Sequence, residues 1–131
     1  DLLEEHEQFI TVSDLGEIKF LFVSEGIRKM LGIDPAQLNP GHFIEVGHPD
    51  DLSRFGLLRS LTFEVEKEVF ESKKGSAFAS FTGRMRNPAG EYNNYICQAY
   101  FFHSPIPHNT VYLLQVIGKV DWFKMKSTVK F

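Results

Sequence analysis

The segment Thr110–Val120 (TVYLLQVIGKV) is a predicted β-strand with apolar residues on both of its faces. Successive side chains of a strand point to opposite sides, so odd-numbered and even-numbered residues form separate faces. The odd face carries Val111, Leu113 and Ile117, and the even face carries Tyr112, Leu114 and Val116. A strand that is apolar on both faces is covered on both. We therefore expect helices on one face and flanking sequence or a partner subunit on the other, which favours a homodimer.

Four further strand patterns precede this segment, two on each side of a helical region. The first two, Phe9–Val12 and Ile18–Val23, are joined by a predicted turn at Ser13–Gly16. The other two, Ser76–Arg86 and Tyr92–His103, are joined by an Asn-Pro-Ala-Gly turn. The order β-β-α-α-α-β-β-β predicts an α+β fold with a single five-stranded antiparallel sheet and helices covering one face.

The first two predicted helices are short. Ser24 has the residue type of an N-cap for the first helix, and Gly32 is typical of a helix C-terminus. Asp34 and Pro35 begin the second helix as N-cap and first helical residue. Asn39–Gly41 is predicted to end it, and a brief apolar stretch follows.

The sequence His48-Pro49-Asp50-Asp51 begins the third and longest helix, which is predicted over Pro49–Glu71. Proline suits the first helical position, and the aspartates place negative charge at the positive end of the helix. An acid/base pair of His48 and Asp51 is the functional alternative, but helix capping accounts for both residues. The sequence has no nucleophile elbow, phosphate-binding glycine loop or paired catalytic carboxylates, so we do not expect an enzyme.

Charge and cysteine content restrict the class of protein further. The net charge of −3 argues against nucleic acid binding by this segment, because phosphate contacts need clustered basic residues. A single cysteine, Cys97, excludes an internal disulfide and favours a reducing, cytoplasmic setting. No apolar run reaches the ~18 residues of a membrane span. The 13 phenylalanines predict either a ring-rich core or a ring-lined cavity.

The order of elements and several motifs together resemble the PAS family, a cytoplasmic sensor module of bacterial signalling proteins. The matching residues are Phe22-Val23-Ser24, Leu31-Gly32-Ile33 with Pro35 and Leu38, His48–Asp51, Gly83–Arg86 with Gly90-Glu91-Tyr92, and Asp121. The resemblance covers about residues 8–122. There are three departures. The family often has a tryptophan shortly after the hairpin tyrosine, where this chain has Asn93-Asn94 before Tyr95. The third helix is longer, and Trp122-Phe123 follows Asp121.

The resemblance implies a lead-in over residues 1–8, a sensor domain over residues 9–122 and an exit segment over residues 123–131 toward a missing output domain. Asp121 and Trp122 would then pass a signal to that domain. The long helix and second hairpin are most similar to PAS modules ahead of LuxR-type helix-turn-helix regulators, and a histidine kinase is the other expected output. The alternative is a ligand-free domain for constitutive protein–protein dimerisation.

A small-molecule pocket is expected between the helices and the sheet. Gln98 and Gln115 lie in apolar strands, and a buried amide needs hydrogen-bond partners, which a ligand could supply. An outward or water-bonded glutamine remains the alternative for each of them. The candidate pocket residues are Phe43, Ile44, Arg84, Gln98, Tyr100 and Gln115.

The identity of any cofactor stays open, but haem, flavin and metal are disfavoured. The five histidines lack zinc-ligand spacing, and His42 is the one histidine near the predicted helical wall. A flavin-adduct cysteine lies on a helix in light-sensing relatives, whereas Cys97 lies in a predicted strand. A buried, apolar role is the interpretation that we favour for Cys97.

Overall fold

The structure is a computed structural model that describes residues 7–72 and 76–120. The strands are β1 (Gln8–Asp14), β2 (Lys19–Val23), β3 (Ser76–Arg86), β4 (Tyr92–Ser104) and β5 (Thr110–Lys119). The α-helices are α1 (Gly26–Leu31), α2 (Pro40–Val46) and α3 (Leu52–Ser72), with short 3-10 helices at Pro35–Gln37 and Pro49–Asp51. Most of the predicted lead-in, the exit segment and both predicted output residues, Asp121 and Trp122, lie outside the described residues.

The five strands form one antiparallel sheet in the order β2-β1-β5-β4-β3. The last strand of the chain is therefore central, between β1 and β4, and the helices cover one face of the sheet, as predicted. Residues paired across a ladder point to the same face. Thr11 pairs with Gln115, and Cys97 pairs with both Ile117 and Phe81, so these residues share the face that the helices cover.

The first hairpin turns later than predicted. β1 continues to Asp14, and Ser13 and Asp14 pair with Phe20 and Lys19 of β2. The predicted turn at Ser13–Gly16 is therefore displaced toward the C-terminus. Ile18, which was expected in the strand, lies in the turn with a positive φ of 55°.

Ser24 does not cap α1. Its hydroxyl accepts a hydrogen bond from the backbone N–H of Ile10 at 2.8 Å, and its own N–H donates to the Ile10 carbonyl at 2.9 Å. The N-cap position belongs to Glu25, which makes no side-chain capping bond. The prediction was wrong because a bond to the neighbouring strand competes with the local cap for the same hydroxyl.

The segment after Asn39 is a helix, which the sequence analysis missed. Asn39 is the N-cap of α2, accepting from the Gly41 N–H at 2.9 Å, and His42 Nδ1 accepts from the Asn39 N–H at 3.1 Å. Pro40 occupies the first helical position. These are the residue types that begin a helix, so Asn39–Gly41 starts an element. The 3-10 turn before it ends earlier than predicted, at Gln37.

The core lies between the helices and the covered face of the sheet, in two clusters of buried residues. One cluster includes Phe9, Ile27 and Tyr95, and the other includes Phe101 and Val111. On the opposite face the apolar residues are less protected: Phe78 is 56% exposed, Tyr100 39% and Phe102 37%. The two apolar faces predicted for β5 are thus present. That flanking sequence or a partner subunit covers the face opposite the helices stays a prediction.

Candidate functional site

A cavity of about 400 Å³ lies between the covered face of the sheet and the helices α2 and α3. Four parts of the chain surround it: the first hairpin (the end of β1, the turn and the start of β2), the helix α2, the helix α3, and strands β3, β4 and β5. Its lining is mostly apolar, with rings at Phe20, Phe43, Phe55, Phe63, Phe81 and Tyr95 and aliphatic side chains at Leu15, Ile18, Ile44, Leu58, Leu113 and Ile117. A ring-lined cavity of this size is typical of small-molecule sites.

Three of the six predicted pocket residues lie in this lining. Phe43 and Ile44 come from α2, and Gln115 comes from the central strand β5. They meet because α2 crosses the covered face of the sheet, on which Gln115 also lies. Whether they bind a ligand stays a prediction.

The other three lie elsewhere, which corrects their predicted place in the pocket. Gln98 pairs with Val116 and Tyr100 pairs with Leu114, so both point to the face opposite the helices. The Tyr100 ring packs against Phe78, with their centroids 4.9 Å apart. Arg84 binds Asp51 at the edge strand β3.

Gln115 is held in place by neighbours on the covered face. Its Oε1 accepts a hydrogen bond from the Thr11 hydroxyl at 3.2 Å, and its Nε2 donates to the Cys97 sulfur at 3.4 Å. Thr11 is fully buried, so this contact is inside the protein. Sulfur is a weak acceptor, and an amide nitrogen carries two N–H donors. The Gln115 amide therefore has donor capacity left for an oxygen or nitrogen acceptor in the cavity.

Cys97 lies in the same lining as a neutral thiol. Burial raises the pKa of Cys97 to about 12, and the hydrogen bond from Gln115 offsets this only in part. A thiol becomes nucleophilic on losing its proton, so Cys97 is inert at neutral pH. This agrees with its predicted role as a small buried residue.

Charged side chains line one part of the cavity. Lys19 and Arg59 are exposed, and Glu66 of α3 is half-buried. Burial and then the negative charge of Asp14 raise the pKa of Glu66. Asp14 itself is 1% exposed. The lining thus contains two carboxylates and two cationic side chains.

A charge pair fixes the start of α3 against the sheet. The Asp51 carboxylate accepts hydrogen bonds from the backbone N–H and Nε of Arg84, both at 3.1 Å, and from its Nη2 at 2.7 Å. These hydrogen bonds lower the pKa of Asp51 to about 2, against the opposing effect of burial. His48 adds a backbone bond to the Arg84 carbonyl at 3.1 Å, and its Nδ1 accepts from the Asp50 N–H at 3.0 Å. The structural role predicted for His48 and Asp51 agrees with these contacts.

One cluster of potential ligand side chains was not found from the sequence. Asp14, Glu17 and His108 place one potential ligand atom each within 4.8 Å of one another. Asp14 and His108 are 94 residues apart in the chain. Spacing searches cannot find such a group, because its members come from the first hairpin and the β4–β5 loop.

None of the described helices combines the length and the apolar character that crossing a bilayer requires.

Comparison with known proteins gives structural matches alone. No family model and no curated protein matches the chain. The N-terminal domain of a diguanylate cyclase with PAS/PAC sensor from Marinobacter aquaeolei is similar with a TM-score of 0.61 and 10% identity, covering 87% of this chain and 95% of that one. A sensory box histidine kinase/response regulator from Burkholderia thailandensis has a TM-score of 0.58 and 16% identity, with coverage of 98% and 88%.

The PAS-B domain of Drosophila melanogaster Cycle with bound glycerol is also similar, with a TM-score of 0.53 and 21% identity over 85% of this chain and 98% of that domain. At these identities the matches establish the fold. This chain therefore has the PAS fold, in which a five-stranded antiparallel sheet carries helices on one face. The fold expected from the resemblance of the motifs is confirmed.

Proposed function

We propose that this domain is a signal-sensing module that holds a small, largely apolar molecule between its helices and its sheet. The observation that carries the proposal is Gln115, a positioned amide with donor capacity in a mostly apolar cavity of about 400 Å³. The amide nitrogen carries two N–H donors and directs one to Cys97, so an acceptor on a ligand can take the other. The similar solved structures from a histidine kinase and a diguanylate cyclase support a role in signalling.

The lining favours a neutral ligand that contains a ring. Phe43, Phe55 and Phe81 offer aromatic faces and edges for packing. In the apolar part of the lining around Gln115 an amide does not neutralise charge, and an unpaired charge there is costly. We infer a ligand with a carbonyl, ether or ring-nitrogen acceptor directed to Gln115.

The central position of β5 supports a route for the signal. β5 carries Gln115, pairs with β1 and β4 on its two sides, and ends at Lys119. A ligand that changes the position of Gln115 would therefore act on the strand that leads to Asp121 and Trp122. We propose that these residues pass the change to a C-terminal output domain, a helix-turn-helix or a histidine kinase, in a cytoplasmic bacterial signalling or transcription protein.

We further propose that the domain senses without catalytic activity and without haem or flavin. The lining formed by the described residues contains no histidine, so it offers no imidazole to a haem iron. Cys97 lies in the strand β4, whereas the flavin-adduct cysteine of light-sensing relatives lies on a helix.

The second candidate function is constitutive dimerisation without a ligand. It is favoured by the apolar face opposite the helices, where Phe78, Tyr100 and Phe102 are exposed and Tyr112 stacks on Phe102 with ring centroids 5.5 Å apart. Both functions can coexist, because the cavity and this face lie on opposite sides of the sheet.

The sensing proposal is tested with the neutral fluorophore N-phenyl-1-naphthylamine and with native mass spectrometry of the purified domain. Thr62→Trp places a large ring in the cavity lining, whereas Leu61→Trp changes the neighbouring residue, which is 53% exposed and outside the lining. We expect saturable fluorophore binding by the wild type and Leu61→Trp, and at least tenfold weaker binding by Thr62→Trp.

Equal binding by all three proteins, or no binding and no co-purified small molecule, would refute the cavity as a ligand site. Sedimentation of the wild type and Phe78→Ser tests the second function. A dimer that Phe78→Ser dissociates, together with an empty cavity, would favour the dimerisation module.

A further inference from the structure

Three side chains meet where the turn after β1 contacts the β4–β5 loop. His108 Nε2 lies 2.6 Å from Asp14 Oδ2 and 3.2 Å from Glu17 Oε1. Asp14 is buried, while the side chains of Glu17 and His108 are 46% and 41% exposed. The group therefore has a buried base and a side that solvent reaches.

The Asp14 carboxylate is oriented by bonds to one of its two oxygens. Oδ1 accepts from the N–H groups of Gly16 at 3.0 Å and Glu17 at 3.1 Å, and from the Thr110 hydroxyl at 2.8 Å. Oδ2 is left to face His108. A Cβ at Gly16 would lie 2.4 Å from Thr110 Oγ1, so glycine is required for this close contact. The structure thus presents one carboxylate oxygen in a fixed direction.

The two oxygens of the Glu17 carboxylate also have different partners. Its Oε2 binds Lys19 Nζ at 2.9 Å, and its Oε1 faces His108. Two carboxylate oxygens therefore converge on one imidazole nitrogen. A single N–H can make a well-aligned bond to one acceptor, and the second oxygen then contributes little.

We propose that Asp14 Oδ2, Glu17 Oε1 and His108 Nε2 form a binding site for a divalent transition-metal ion of the zinc type. Zinc sites with three protein ligands from histidine and carboxylates are well known, with bonds of about 2.0–2.2 Å and a fourth position for water. Tetrahedral ligands at these bond lengths lie about 3.3 Å apart. The 3.2 Å contact already meets this value, and the 2.6 Å contact must widen, which rotation of the exposed His108 ring allows.

Charge and ligand type support this ion class. The site contains two carboxylates, with Glu66 as a third acidic group near Asp14, and Lys19 as the cation bound to Glu17. A divalent ion offsets this excess negative charge. The imidazole nitrogen favours zinc and other first-row transition metals over calcium and magnesium, which prefer oxygen ligands. Thr110 donates to Asp14 Oδ1 and Lys19 binds Glu17 Oε2, so each carboxylate is held through the oxygen that does not face His108. Hydrogen bonds of this kind orient the ligands of metal sites.

The test is isothermal titration of the chelator-treated protein with Zn²⁺, and separately with Ca²⁺. Asp14 is buried and its variants could unfold, so the ligand variants are Glu17→Gln and His108→Gln. The controls are Glu25→Gln, a surface carboxylate in an ion pair, and His103→Gln, which lies just before the same loop. We expect one Zn²⁺ per wild-type chain, no saturable binding of Ca²⁺, and at least tenfold weaker Zn²⁺ binding in each ligand variant.

The controls should bind Zn²⁺ as the wild type does, and Zn²⁺ should raise the melting temperature of the wild type but not of His108→Gln. Absence of saturable Zn²⁺ binding, or binding that His103→Gln removes and His108→Gln does not, would overturn the proposal. So would preferential binding of Ca²⁺. The metal titration and the fluorophore experiment test separate proposals, because fluorophore binding in the cavity does not involve metal. Failure of one proposal therefore leaves the other standing.

Discussion

Replacing Asp51 by asparagine removes the charge that holds the start of α3 to the edge of the sheet. The asparagine carbonyl can still accept the backbone N–H of Arg84, but its NH₂ group then faces the Arg84 guanidinium, and two donors oppose each other. Lowering the pKa of Asp51 from 3.8 to about 2 corresponds to at most about 2.5 kcal/mol. Because the Arg84 side chain is 39% exposed, solvent screening reduces the expected loss to about 1–2 kcal/mol.

The pH dependence of this loss follows from the direction of the shift. The pKa of Asp51 is lower in the folded protein than in the unfolded chain, so its stabilisation is fully present above the unfolded pKa of 3.8. It is lost as the pH falls from there to about 2. The free energy of unfolding of the wild type should therefore approach that of Asp51→Asn across this range.

Urea unfolding followed by circular dichroism at pH 7 and at several values down to pH 2 measures both effects. Asp50→Asn is the matched control, since the Asp50 side chain is 79% exposed and lies 3.9 Å from His48. It should change the stability by less than about 0.5 kcal/mol. A double-mutant cycle with Arg84→Gln should give a coupling energy of similar size to the loss. Equal stability of wild type and Asp51→Asn at pH 7, or a loss that persists unchanged at pH 2, would refute the assignment.

Three further predictions concern single positions. Cys97 should resist iodoacetamide at pH 8 in the folded protein and react rapidly after unfolding in urea, because burial raises its pKa to about 12; rapid modification of the folded protein would contradict this. Gly32→Ala should lower the free energy of unfolding by about 1–2 kcal/mol, because the φ of Gly32 is +73°. Gly56→Ala should raise it by up to about 1 kcal/mol, because Gly56 lies inside α3 and an added Cβ would meet no atom within 4 Å. Equal effects of the two substitutions would contradict the backbone assignment. Asn87→Ala should cost about 1–2 kcal/mol, because its Oδ1 accepts the N–H groups of Ala89 and Glu91, and thermal unfolding that is unchanged would show that the turn does not need these bonds.

Features that depend on neighbouring residues were predictable from the sequence. Gly32 ends α1 with a left-handed backbone, and the Asp34 side chain caps the turn that Pro35 begins. Asn87 and Gly90 form the turn between β3 and β4, as their residue types indicate. The forces in each case act over a few residues, so a short stretch of sequence contains the information.

Features decided by competition between distant groups were not predictable in the same way. Ser24 could cap a helix or bond a strand, and the approach of Ile10 selects the second. Asn39 and Pro40 could end one element or begin another, and here they begin α2, since the 3-10 helix before them has already ended at Gln37.

The two glutamines show most clearly which features the sequence alone does not decide. The sequence by itself predicted that β5 is a strand with two apolar faces, that the sheet carries helices, and that Gln98 and Gln115 lie in apolar strands. Which face the helices cover depends on the packing of the whole chain, because both faces of β4 and β5 are apolar enough to be buried. The tertiary structure places Gln115 inside the cavity and Gln98 on the opposite side. It also brings His108 to Asp14 across 94 residues, a contact that no local pattern encodes.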